Sequence, residues 1–175
     1  MSSVRAYASI LAAAIAAWLF WASRTHPRYI VLAVAFALLR LWLAVAAGKA
    51  SSKGEIFNDL LDRISDVLIF VGIAHSGWCN AYYAYWVALA AVIVAYIGLL
   101  GQAAGGKREH GGVMSKPWRI VVLSLGALAT MFLVLNGQRY WFAGFSVLDW
   151  TNFVILAGCV LTIATRLWRI FGAEL

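Results

Sequence analysis

Glu55, Asp59, Asp62 and Asp66 follow one another at intervals of 4, 3 and 4 residues. At about 100° per residue of an α-helix they fall within an arc of roughly 60°, so the four carboxylates share one face. Asn58 and Ser65 lie beside this stripe, while the opposite face, with Leu60, Leu61, Val67 and Leu68, is apolar. Acids in a first helical turn complement the helix dipole, which accounts for Glu55 and Asp59. Asp66 is different, because it lies about 18 Å along the axis from Gly54 at 1.5 Å per residue. In apolar surroundings an ionised carboxylate at that depth needs a counter-charge, hydration or a metal. Oxygen ligands of this kind suit Mg²⁺ or Mn²⁺, hard cations that also bridge phosphates.

The alternative balance for the stripe is an internal cation. Arg40 is the one charged residue in an otherwise apolar stretch, 29–47. An arginine in such a setting seldom lacks a partner, unless its long side chain snorkels to the interface. A second basic cluster runs from Gly105, Gly106, Lys107 and Arg108 to Lys116, Pro117, Trp118 and Arg119. It can cradle a phosphate or a lipid headgroup, or stand as a plain positively charged loop. His26, His75 and His110 show no ligand spacing, and Cys79 and Cys159 read as ordinary buried thiols. The chain has no nucleophile elbow, no phosphate-binding P-loop and no CxxC pair.

The elements that carry these residues follow from composition. Of 175 residues, 64% are hydrophobic and only 12% charged, with a mean hydropathy of +0.85. Too few polar side chains remain to cover a water-facing surface, so the membrane class is implied. Nine Trp and seven Tyr suit a protein that meets two membrane–water interfaces. The net charge of +7 then points to anionic lipid headgroups rather than nucleic acid. Apolar runs of spanning length occur near 6–22, 29–47, 56–75, 81–101, 118–136 and 150–168. The expectation is all-α: one polytopic domain over 1–175, a six-transmembrane-helix bundle whose first segment is a retained helix rather than a cleaved signal. With both termini cytoplasmic, that side holds nine basic residues (Arg5, Lys49, Lys53, Lys107, Arg108, Lys116, Arg119, Arg166 and Arg169). The other side holds three, Arg24, Arg28 and Arg139. This positive-inside bias places the acidic stripe and the 102–119 loop in the cytoplasm, and a bacterial inner membrane as the expected location.

On these residues the chain resembles the CDP-alcohol phosphotransferases (CDP-alcohol phosphatidyltransferases). The family signature, D-x2-D-G-x2-A-R-x8-G-x3-D-x3-D, runs from helix 2 across a cytoplasmic loop into helix 3. Gly54 takes the place of its second glycine, Asn58 of its third aspartate and Asp62 of its fourth, and Ala44 of its alanine. The stretch GEIFNDLLDRISD is similar to a bacterial branch in which asparagine followed by an acid holds the third position. Residues 98–119, GLLGQAAGGKREHGGVMSKPWR, are similar to the loop between helices 4 and 5 of that branch. The resemblance implies a six-helix membrane fold, typically dimeric. It implies transfer of a phospho-group from a CDP-linked lipid to an alcohol acceptor in phospholipid biosynthesis. It also implies Mg²⁺ or Mn²⁺, Asp62 as the catalytic base, and Asn58, Asp59 and Asp66 near the metals. Arg40, Lys107, Arg108, Lys116 and Arg119 become candidates for a substrate phosphate or headgroup.

The signature is incomplete. Ala37 and Arg40 stand where the first two aspartates would be, Leu41 replaces the first glycine and Val45 the arginine. A site stripped of two ligands suggests a second possibility, a catalytically silent relative acting as a partner subunit or as a lipid or nucleotide binder. In that case Arg40 contacts the carboxylates. A third, a small cation or proton transporter, requires a polar path beyond Asp66, and residues 69–74 carry no ionisable side chain.

Overall fold

The computed structural model describes residues 2–46, 52–103 and 112–172, and the side chains of residues 2, 3, 5 and 52–58 lie outside that description. Six helices follow in chain order: α1 (Ser2–Ala22), α2 (Tyr29–Ala46), α3 (Ser52–Ala74), α4 (Ala81–Ala103), α5 (Lys116–Leu135) and α6 (Val147–Gly172). Each coincides within a few residues with an apolar run of the sequence. Four of them, α2, α4, α5 and α6, are long and apolar enough to cross a membrane. α1 has a shorter apolar core, Ala6–Ala22, and α3 carries the acidic stripe.

The helices close into a ring. α1 packs on α2 and α3, α3 on α4, α4 on α6, α6 on α5, and α5 returns to α2. Ring order therefore departs from chain order, and α2, α3 and α5 face a common interior. Small residues permit the close crossings: Ala13, Ala16, Ala33, Ala37, Ala84 and Ala91 are all buried. Gly72 of α3 lies so near the Ala17 backbone of α1 that a Cβ there would overlap it. Gly126 of α5 meets the Thr151 side chain of α6 in the same way. Such small-residue contacts let backbones approach where packing, rather than water exclusion, drives association.

The outer surface is the inverse of a water-soluble protein. Trp18, Trp42, Tyr82, Trp86, Phe132, Leu161 and Trp168 are exposed, whereas Arg40, Asp66, Arg119, Asn152, Thr162 and Arg166 are buried. An apolar coat around a charged interior is what a lipid environment selects.

The two ends of the ring differ. At one end, Asp149 in the first turn of α6 accepts from the Asn80 and Ser146 backbone N–H groups and the Ser146 hydroxyl at 2.7–3.0 Å. This clasp ties the α3–α4 turn to α6. Nearby, Tyr83, Phe145, Trp150 and Phe153 stack in mutual contact. At the other end lie the second half of α2, the first half of α3 and the start of α5, where the charged residues of the interior gather.

Candidate active site

The core of the site is an ion-pair cluster of two acids and three bases drawn from three helices. α2 supplies Arg40, whose side chain is fully buried. It is a single polar position on a helix that otherwise buries Ile30, Ala33, Val34 and Ala37, so the guanidinium has only the ring interior to enter. α3 supplies Asp62 and Asp66, one helical turn apart on the stripe. α5 supplies Lys116 and Arg119 from its first turn, which begins with Ser115 at the N-cap and Pro117 behind it. A proline there loses no helical hydrogen bond, because first-turn N–H groups have no intrahelical acceptor.

All four oxygens of the two carboxylates face a cationic nitrogen. Arg40 Nη2 lies 3.4 Å from Asp62 Oδ1 and 3.0 Å from Asp66 Oδ1. Lys116 Nζ lies 2.5 Å from Asp62 Oδ2, and Arg119 Nη2 lies 2.9 Å from Asp66 Oδ2. Arg40 Nη2 also donates to the Asp62 backbone carbonyl at 2.9 Å. Its approach to Asp66 is an ion pair by distance, without the alignment of a directed hydrogen bond. Arg119 Nη1 donates to the Met114 carbonyl at 3.3 Å, and the Met114 N–H donates to Thr162 Oγ1 at 3.0 Å, which links the cluster to α6.

Burial divides the cluster into a floor and a mouth. Arg40, Asp66 and Arg119 are 2% exposed or less, while Asp62 and Lys116 are about one-fifth exposed. The Asp62–Lys116 pair is thus the part that an incoming molecule meets first. On the floor, four polar atoms have no hydrogen-bond partner among the described residues: Arg40 Nε, Arg40 Nη1, Ser65 Oγ and Asp66 Oδ1, the last met only by the Arg40 ion pair. Buried donors left this way are costly unless an acceptor arrives.

The sequence-derived candidates separate accordingly. Asp62, Asp66, Arg40, Lys116 and Arg119 come together. Asp59 is half-buried on the same helix, and its carbonyl accepts from Arg63 Nε at 3.3 Å. Gly54 lies in the first turns of α3 and Ala44 is half-buried in the last turns of α2. The side chains of Glu55 and Asn58, and residues Lys107 and Arg108, lie outside the described residues. Arg119 proves to be an interior residue rather than a loop cation. Arg166 is likewise buried, and donates to the Val94 carbonyl at 2.5 Å.

The donor set suits a divalent ion poorly. Mg²⁺ requires near-octahedral oxygen ligation at about 2.0–2.1 Å. Among the described residues no three His, Cys, Asp or Glu side chains converge, and the two carboxylates that meet are each engaged by two cations. On α2, the buried Arg40 and Ala37, one turn apart, offer no carboxylate. A divalent ion about 4 Å from a guanidinium is repelled by roughly 8 kcal/mol at an effective dielectric constant of about 20.

No protein-family model and no curated protein matches this sequence. Solved structures do. The phosphatidylinositol phosphate synthase of Mycobacterium tuberculosis with CDP-DAG bound superposes with a TM-score of 0.71 at 19% identity, over 98% of this chain and 86% of that one. The same synthase in complex with manganese and citrate gives 0.65 at 19% identity, over 97% and 80%. Its apo form gives 0.61 at 20% identity, over 97% and 86%. The fold expected from the signature resemblance is therefore the fold found: nearly the whole chain is built like a phosphatidylinositol phosphate synthase.

Proposed function

We propose that this protein is a CDP-alcohol phosphatidyltransferase-like membrane protein of phospholipid biosynthesis, which passes a phospho-group from a CDP-linked lipid to an alcohol. One observation carries the reading. Almost all of the chain shares its fold with a CDP-alcohol phosphatidyltransferase whose structure holds CDP-DAG. Asp62, at the mouth of the cluster, accepts the proton of the alcohol hydroxyl. The alcohol oxygen then bonds to the lipid-side phosphorus as its bond to CMP breaks, and CMP leaves with the electron pair. Lys116 beside Asp62 meets the phosphate charge, with Arg40 and Arg119 behind it.

In this reading all six helices span a bacterial inner membrane, both termini and the cluster face the cytoplasm, and the protein is a dimer. The positive-inside distribution of Lys and Arg supports the orientation. The exposed large apolar side chains of the outer surface support the spanning.

A second reading draws on one specific contact. Arg40 Nη2 lies 3.4 Å from Asp62 Oδ1 and 3.0 Å from Asp66 Oδ1, so a side chain of this protein balances both acids. That arrangement suits a catalytically silent relative that holds a nucleotide or lipid headgroup, or serves as a partner subunit. A transporter has less support, since Ile69, Phe70 and Ile73 beyond Asp66 are all completely buried apolar residues.

CMP release from CDP-DAG, assayed in proteoliposomes against a panel of alcohols, separates these readings. Release that is abolished by Asp62→Asn supports the transferase. CDP binding with no CMP release supports the silent binder.

A further inference from the structure

The cluster carries three positive charges against two negative ones, and its unpartnered atoms on the floor include two N–H groups of a single guanidinium. Each of the four carboxylate oxygens already faces a cationic nitrogen, so the net charge calls for an anion rather than a further cation. Arg40 loads one nitrogen, Nη2, onto Asp62 and Asp66 and leaves the N–H groups of Nε and Nη1 without an acceptor. Guanidinium N–H groups donate strongly to anionic oxygens, so each of these two can still meet an oxygen of a phosphate.

We propose that Arg40 is the resident cation of this site, standing in place of divalent metal, and that the site receives a phosphate-bearing ligand without Mg²⁺ or Mn²⁺. The guanidinium neutralises the carboxylates that a metal would otherwise bridge, and it brings the fixed positive charge that a diphosphate requires. Arg119 holds Asp66 from the far side, so the acid does not swing away from Arg40 to ligate an ion. Lys116 performs the same service for Asp62 at the mouth. The phosphate half of this inference rests on the functional reading above, whereas the assignment of Arg40 rests on the cluster's geometry alone.

Two measurements on the full chain in nanodiscs test it. The first is a Mn²⁺ titration followed by the electron paramagnetic resonance of free Mn²⁺, with and without CDP. No saturable uptake is expected in the wild type, and uptake is expected in the double variant Ala37→Asp/Arg40→Asp, which restores two carboxylates and removes the guanidinium. Saturable uptake by the wild type that Asp62→Asn removes overturns the proposal. A double variant that unfolds normally yet takes up no Mn²⁺ overturns the assignment of Arg40 as the excluding group.

The second measurement is CDP binding by calorimetry in EDTA and again with Mn²⁺. Equal affinity in both is expected, with at least a tenfold loss in Lys116→Ala, a substitution at the accessible rim. Binding that needs Mn²⁺ overturns the proposal. Absence of CDP binding in both conditions overturns the phosphate half together with the functional reading, and the Mn²⁺ titration still decides the assignment of Arg40.

Discussion

Arg40 and Asp62, from neighbouring helices in the sequence that barely pack on one another, are joined twice. Arg40 Nη2 donates to the Asp62 backbone carbonyl at 2.9 Å and lies 3.4 Å from its Oδ1. Because α2 and α3 are held apart in the ring by α1 and the interior, the arginine side chain is the bridge between them. The link thus serves both architecture and the charge balance of the site.

Removing the bridge strands buried charge. Arg40→Met leaves Asp66 with Arg119 alone and Asp62 with Lys116 alone. The loss is expected at about 3–5 kcal/mol, the range for breaking a buried ion pair from one side. Thermal unfolding in detergent should show a clear drop in midpoint for Arg40→Met and a smaller one for Arg40→Lys, which keeps the charge. An unchanged midpoint in Arg40→Met would mean that the cluster is not held as described.

Asp66 and Arg119 form a buried pair, 2.9 Å apart at 2% exposure on each side. Either single change, Asp66→Leu or Arg119→Met, should destabilise by about 3 kcal/mol or more. The double change should cost less than the sum, since an apolar replacement of a whole buried pair is often near neutral. A double-mutant cycle reads this as a coupling of at least about 1 kcal/mol.

Helix placement was legible because each element is an apolar run bounded by turn residues, and all six observed helices lie within a few residues of those runs. The stripe was legible for the same kind of reason, since a 4, 3, 4 spacing has one solution on a helix. Arg40 announced itself as the lone charge in 29–47. Arg119 did not. It follows Lys116 and Pro117 in a basic, glycine-containing stretch, and read as one more loop cation. Its partner Asp66 is 53 residues away on another helix, and no periodicity within one segment reports a pairing between α3 and α5. The closed ring order was hidden likewise, because it depends on close crossings such as Gly72 against Ala17 rather than on the length or polarity of any segment.

That crossing is itself testable. Gly72→Val puts a branched side chain where the Ala17 backbone leaves no room for a Cβ. Backbone cannot yield as a flexible side chain does, so a loss of about 3 kcal/mol or more is expected, at or above the upper end for overpacking. Thermal unfolding checks it, with Gly72→Ala predicted to be milder but still below the wild type.

Cys79, in the turn between α3 and α4, is held as a thiol. Burial pushes its pKa up to about 12, with the Asp149 carboxylate adding to the rise. Thiolate is the reactive form, so at pH 8 the folded protein should label slowly with iodoacetamide at this position. The rate should rise only as the pH approaches 12, and labelling should become fast when the chain is unfolded in SDS. Rapid labelling of folded protein at pH 8, read by mass spectrometry of the Cys79 peptide, would contradict the described environment.

The central claim is that the Asp62 cluster handles a CDP-linked lipid with its own cations. The most direct measurement is CMP release from CDP-DAG by purified protein in proteoliposomes, run in EDTA with a panel of alcohol acceptors. Release in EDTA is expected, not enhanced by Mn²⁺ and abolished by Asp62→Asn. No release from any CDP-linked lipid, with or without Mn²⁺, or release that strictly requires the metal, would contradict it.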